Sequence, residues 1–359
     1  MTEIEYSMGP QHAGTGHMRM KVRLSGDRVI QALPDPGYVH RGAEKLCELK
    51  EFFWNIPLLE RVCLPDTTPA AWGYVLAVER LMGLVPTEPA RYIRALFAEM
   101  NRIVSHLYWL AIFGIFLGHS TMFMWPFAER EPFIELAEAI SGSRLTHSDI
   151  YPTGVRQALP DNFAPRMKKV IKHFQKRLVD YERIFFTTAI FKQRTKEIGI
   201  LTKEDAIRLG TTGPVLRGSG VNYDIRKIDP YGPYPKLDFE PVVRDEGDSY
   251  SRAMVRLEEM RVSAALIEQI LDQIPPGEVR LKTPKKVPAG VAYTRVESAR
   301  GELGYLVVSH GEKQPSRVKV STPCFRHLPA LEFLLKNIDL ADIPSIYWSL
   351  DYWPPNADR

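Results

Sequence analysis

From Ala90 onward, Ile93, Leu96, Phe97, Met100, Ile103, Val104, Leu107 and Tyr108 recur at i, i+3, i+4 and i+7. Such a stripe runs down one face of a 3.6-residue helix, so this segment predicts a long helix that must bury that face. A second stripe is formed by Met167, Ile171, Phe174, Leu178, Tyr181 and Phe185. A third is formed by Ala253, Leu257, Met260, Ala264, Ile267, Leu271 and Ile274 with unbroken 4,3 spacing, and Pro69 to Gly83 is also helical in its spacing. Long amphipathic helices cannot stay solvated on all sides, so they imply a helical bundle core.

The two ends of the chain follow a different period. Met18 to Leu24 alternates with period two, breaks at Ser25-Gly26-Asp27 and resumes at Arg28-Val29-Ile30, which predicts a β-hairpin. Alternation returns after Pro275-Pro276-Gly277, in Val291–Glu297, Leu303–Ser309 and Arg317–Ser321, which predicts an antiparallel meander. The expected class is therefore α+β, a central helical bundle with an N-terminal β-hairpin and a C-terminal antiparallel β meander. We expect one multi-part domain over 1–359: a β region at 1–45, a helical core at 46–285, and the meander with its tail at 286–359. Within the core, 210–247 is rich in Gly, Pro and Tyr, and so long a loop is usually functional or a partner surface.

Several functions are excluded early. Lys and Arg number 47 against 43 Asp and Glu, so the net charge of +4 gives no stripe for nucleic acid. Cys47, Cys63 and Cys324 are too few for a disulfide framework and suit a reducing compartment. The apolar run Leu107–Gly118 falls short of the roughly 20 residues a membrane span needs, and no signal-peptide pattern opens the chain. Gly218-Ser219-Gly220 lacks the third glycine and preceding strand of a dinucleotide fingerprint, and nothing matches a P-loop or a zinc helix.

Four local features remain: Gly9-Pro10-Gln11-His12, His40-Arg41-Gly42-Ala43-Glu44-Lys45, Arg61-Val62-Cys63-Leu64-Pro65-Asp66, and the final run Asp351–Arg359. With Tyr74–Glu79, Glu99–His106, Arg130-Glu131-Pro132, Gly213–Gly220, Arg300–Gly304 and Ser349-Leu350-Asp351, they resemble, in order and over nearly the whole length, the large subunit shared by respiratory complex I and membrane-bound nickel–iron hydrogenases. The resemblance implies the fold of nickel–iron hydrogenase large subunits and an oxidoreductase subunit of a membrane complex.

Departures from that pattern carry the finer reading. Where hydrogenase relatives have two Cys-x-x-Cys pairs, this chain has Cys63-Leu64-Pro65-Asp66 and Trp353-Pro354-Pro355-Asn356. One thiolate of four remains, and Asp, Trp and Asn cannot replace the soft ligands that nickel and iron need there. The complex I pattern implies a quinone-binding tyrosine at Tyr74 and histidines from the loop of His12 and His17, but its aspartate is Phe116 here. The combination most resembles the large subunit of membrane-bound sulfane-sulfur reductases.

The expected function is an ion-translocating membrane oxidoreductase that reduces sulfane sulfur or polysulfide, with a quinone-reducing complex I-type subunit and a non-catalytic scaffold as alternatives. The candidate catalytic residues are Cys63, Asp66, His12 and Arg61, and the candidate substrate-binding residues are Tyr74, His17 and Asp351. No metal and no cofactor is expected on this chain, and no nickel–iron centre; an iron–sulfur cluster is expected in an adjacent small subunit resembling the terminal iron–sulfur protein of complex I. Other peripheral-arm and antiporter-like membrane subunits are expected partners, with the chain peripheral on the cytoplasmic face of the cell membrane.

Overall fold

The computed structural model describes residues 3–12 and 16–359. Ala13, Gly14 and Thr15, within the glycine-rich segment between His12 and His17, lie outside the described residues. The N-terminal sheet contains β1 (Glu3–Met8), β2 (Arg19–Ser25) and β3 (Arg28–Asp35), all antiparallel. The hairpin turn falls at Gly26-Asp27, where Gly26 takes φ +63°, a conformation that costs glycine little. A short strand from the far end of the chain, Ile338–Asp339, completes the sheet beside β3. Neither β1 nor this edge strand shows a clear alternation, because β1 is exposed on nearly all of its residues.

The helical core follows. Its main helices are α1 (Thr67–Met82), α2 (Glu88–Phe116), α3 (Thr121–Ser141), α4 (Phe163–Tyr181) and α5 (Ser249–Gln273). The central member is α2, packed against α3 and α5, which together with α4 close around it. Its stripe residues Ile93, Leu96, Phe97, Met100, Ile103 and Leu107 are all buried, and each contributes roughly 1.5 to 3 kcal/mol of apolar burial. The stripe of α4 is buried through Tyr181, and Phe185 follows it in a single wide turn, Glu182–Phe186. Helix α3 escapes a periodicity reading because Pro126 and Pro132 interrupt it and its apolar residues are spread around it.

The C-terminal meander is β4 (Gly290–Ser298), β5 (Gly301–Ser309) and β6 (Arg317–Ser321), antiparallel throughout. Helix α1 lies between this sheet and α2. The contact is close enough to need glycine: a Cβ at Gly73 would stand 2.7 Å from the Tyr305 ring. The segment 210–247 is mostly loop, interrupted by short helical turns. It forms short helices at Gly213–Arg217 and Ile225–Ile228, because its Arg217, Asp224 and Arg226 are buried and ion-paired. No helix among the described residues is long and apolar enough to cross a membrane.

Candidate functional site

Two chain turns and one hairpin converge in the interior. The first turn is the single 3₁₀ turn Leu64–Asp66 that leads into α1, with Cys63 just before it. The second is the tail after Ser349, where buried Asp351 takes φ +53°, a left-handed conformation uncommon for a residue with a side chain. Between them, the tight β4–β5 turn delivers Arg300. This turn requires Gly301, at φ +133°, because a Cβ there would stand 2.5 Å from Thr212 Oγ1.

Arg300 is completely buried and organises the cluster. It donates through Nη1 to Asp66 Oδ2 at 2.8 Å and to Ser105 Oγ at 3.1 Å, and through Nη2 to Asp351 Oδ1 at 2.9 Å. Its Nε donates to the Asp351 carbonyl at 3.2 Å. Cys63 Sγ lies 3.9 Å from Arg300 Nη1 and 3.8 Å from Asp66 Oδ2. A second thiol, Cys324, lies 3.8 Å from the Asp351 carbonyl and accepts the Trp353 N–H at 3.3 Å. Among the described residues, Asp66 Oδ1 and Asp351 Oδ2 have no hydrogen-bond partner, which leaves acceptor capacity in a low-dielectric setting where it is costly to leave unused.

Electrostatics follow from burial. Desolvation raises the Cys63 thiol well above its ordinary range, opposed by the Arg300 guanidinium. Burial likewise pushes Asp351 up to about 6 against Arg300 and Arg256, and Cys324 up to about 12. The resting site is therefore a thiol held beside a fixed cation and two carboxylates.

A mostly apolar cavity of about 310 Å³ adjoins the cluster, with Leu64, Pro65, Tyr108, Arg130, His147 and Trp353 in its wall. Leu64 and Pro65 belong to the turn that follows Cys63 and carries Asp66, so this one turn contributes to both cavity wall and cluster. Tyr108 packs edge-on against Trp353 at 5.5 Å, with the Arg130 guanidinium 5.4 Å from its ring centre.

Of the residues singled out from the sequence, Cys63, Asp66 and Asp351 meet around Arg300. The others stand elsewhere. Arg61 is exposed and donates to the Pro57 carbonyl at 2.5 Å and to Thr146 Oγ1 at 3.2 Å, away from the thiol two residues on. Tyr74 is fully buried, donates to the Phe52 carbonyl at 3.0 Å and accepts from Asn55, so its hydroxyl faces the core. His12 bridges to Gly16 through the backbone, and His17 is exposed. Gly16 stands beside the tail, since a Cβ there would lie 3.9 Å from Pro354 Cγ. The tail is also tied to the 37–40 segment: Gly37 and Val39 N–H groups donate to the Asp358 carboxylate at 2.9 and 3.0 Å. Phe116, in the place of the expected aspartate, stacks on Trp348 at 4.9 Å.

Arg300, Cys324 and Ser105 are site residues that sequence reasoning misses. Arg300 has a signal, since it opens the Arg300–Gly304 motif; Cys324 has none, because its partners are 27 and 29 residues away.

Comparison with known proteins agrees with this architecture. Residues 117–287 and 281–359 match the family model described as "Respiratory-chain NADH dehydrogenase, 49 Kd subunit". The chain belongs to this family. It is 41% identical over 352 residues to a subunit of the NADH-quinone oxidoreductase of Desulforamulus reducens, covering 97% of this chain and 96% of the relative. It is 39% identical over 366 residues to a subunit of the F(420)H(2) dehydrogenase of Methanosarcina mazei, covering 99% and 98%. A chain in the solved "Structure of the membrane-bound sulfane sulfur reductase (MBS), an archaeal respiratory membrane complex" superposes with a TM-score of 0.96 at 38% identity, covering 99% of this chain and 98% of that one. The protein is thus an oxidoreductase subunit of the complex I type, with the fold of the 49-kDa and nickel–iron large subunits.

Proposed function

We propose that this chain is the acceptor-site subunit of an ion-translocating respiratory membrane complex, and that it reduces sulfane sulfur at Cys63 with electrons from an iron–sulfur cluster in a small partner subunit. The observation that carries this reading is the burial of one thiol against Asp66 and Arg300, beside an apolar cavity. Asp66 accepts the Cys63 proton, and Arg300 stabilises the thiolate as it forms. The thiolate attacks one sulfur of an R–S–S–R′ bond; that bond breaks, a Cys63–S–S–R bond forms, and R′S⁻ leaves as R′SH with the proton held by Asp66. Two electrons from the partner's cluster and two protons then cleave the mixed disulfide to the Cys63 thiol and RSH.

A nickel–iron centre does not fit the residues present. Of the two pairs of positions where relatives carry thiolates, only Cys63 offers soft sulfur. Asp66 is engaged by Arg300, and Asn356 accepts the Cys324 N–H at 3.1 Å. The chain is peripheral on the cytoplasmic face in this reading, joined to the small iron–sulfur subunit and to antiporter-like membrane subunits.

A membrane quinone is the second reading, favoured by the apolar cavity wall and by the relatives named as quinone oxidoreductases. Cys63→Ser separates the two in the purified complex. Sulfur reduction requires the thiol, so the variant loses polysulfide turnover; full turnover in the variant refutes the sulfur reading.

A further inference from the structure

The Arg300 cluster is one end of a larger buried ionic system. On α2, Glu99 and Arg102 face Arg217 and Arg226 from the 210–247 segment, Glu259 from α5 and Glu297 from β4, all essentially without solvent. Arg226 pairs with Glu99 at 3.1 Å and Asp224 at 2.7 Å; Arg217 pairs with Glu297 at 2.8 Å and, through Nε, with Glu259 at 3.0 Å. Arg102 donates to Glu99 at 3.3 Å and to the Glu297 and Ser298 carbonyls at 2.9 Å. Arg256 joins this network to the tail, donating to the Ser349 and Leu350 carbonyls at 2.8 and 3.1 Å.

The charges do not balance. The guanidiniums of Arg102, Arg217, Arg226, Arg256 and Arg300 face the carboxylates of Glu99, Asp224, Glu259, Glu297, Asp66 and Asp351, so one carboxylate lacks a cation. Neighbouring Arg252 has Asp248 as its acidic neighbour and does not supply it. An unneutralised buried carboxylate is too costly to persist as an anion, and it takes up a proton instead.

We propose that this network stores one exchangeable proton and resupplies the Cys63–Arg300 site as the acceptor is reduced, drawing on solvent through the cleft beside Tyr231, Asp229 and Arg295. The proposal rests on the acceptor-site reading above. The network approaches the acceptor site at one end and a solvent-facing cleft at the other. At the site end, His106 Nε2 lies 2.9 Å from Glu259 Oε2, and the preceding residue, Ser105, accepts from Arg300. At the solvent end, a cleft of about 360 Å³ is lined by Tyr231, Asp229 and Arg295, and the Tyr231 hydroxyl accepts the Glu297 N–H at 3.0 Å.

Glu297 is the natural holder of the proton. It is faced by Arg102 from α2, Arg217, Asp224 and Arg226 from the 210–247 segment, and Tyr231 beyond them, with Glu259 of α5 bound to the same Arg217. Burial and Asp224 push it up to about 7 against the three arginines, whereas burial pushes His106 down to about 4 despite Glu259.

The test uses the purified complex with Glu297→Gln, which keeps the side-chain shape and removes the titrating group. Infrared spectroscopy at neutral pH reads the carbonyl stretch of a protonated carboxyl group. Turnover is followed with polysulfide and, separately, with a one-electron dye that takes no proton. The variant is expected to lose the carbonyl signal and about tenfold of polysulfide turnover, while dye reduction stays at the wild-type rate. Asp224→Asn, which balances the charges in another way, is expected to lose the same signal, and it serves as the readout if Glu297→Gln does not fold. A signal retained in these variants, or polysulfide turnover unchanged in Glu297→Gln, overturns the proposal. Polysulfide turnover that survives Cys63→Ser overturns the sulfur reading instead and leaves the proton count standing.

Discussion

Replacing Arg300 by methionine tests the cluster by stability. The guanidinium donates to four oxygens, two of them in the carboxylates of Asp66 and Asp351 at 2.8 and 2.9 Å, and none of these groups reaches solvent. Methionine fills a similar volume without charge, so the loss is electrostatic. Removing one partner of a buried ion pair costs about 3 to 5 kcal/mol, because the other is left uncompensated. Two carboxylates are stranded here, which places Arg300→Met at the upper end of that range. A second change, Asp351→Asn, relieves one stranded charge, so the double variant is expected to recover part of the loss through a coupling of about 1 to 3 kcal/mol. Denaturant titration of wild type, both single variants and the double variant measures this cycle. A cost for Arg300→Met below about 1 kcal/mol, or strict additivity in the double variant, refutes the view that Arg300 neutralises a shared buried site.

Other expectations follow from individual groups. Asp351 has its carboxyl raised in the folded state from 3.8 to about 6, so folding takes up a proton there and stability falls as pH rises through that window; Asp351→Asn should flatten this part of the stability profile relative to wild type, and identical profiles contradict it. Tyr74→Phe removes a hydrogen bond to the Phe52 carbonyl and is expected to cost about 1 kcal/mol of stability while leaving acceptor turnover near wild type; a large loss of turnover with normal stability would return Tyr74 to the site. Elemental analysis of the purified complex should find no stoichiometric nickel, and one nickel per chain contradicts the ligand argument.

The helices with regular stripes and the strands with regular alternation are legible because burial on one face writes a period into the sequence. Helix α3, with two internal prolines, and the exposed β1 carry no such period. Within the site, Cys63 and Asp66 are legible as neighbours on one turn, and Asp351 through the tail motif. Arg61 misleads because proximity in sequence does not set direction: the chain turns after Val62 and sends the guanidinium outward to Thr146. The cation the thiol meets is Arg300, 237 residues away, placed there by a glycine turn that no local pattern links to Cys63. The same holds for the network around Glu297, whose members look like ordinary surface charges until α2, α5, β4 and the 210–247 segment bring them together.

In the proposed reaction Cys63 itself takes up sulfur. The most direct measurement of this uptake is mass spectrometry of the Cys63 peptide from complex mixed with an organic polysulfide without an electron donor, quenched in acid, and compared with the same sample after the donor is added. A mass increase matching the transferred R–S group on Cys63 is expected before reduction, and its disappearance afterward. An unmodified Cys63 in a complex that is turning over polysulfide would contradict it.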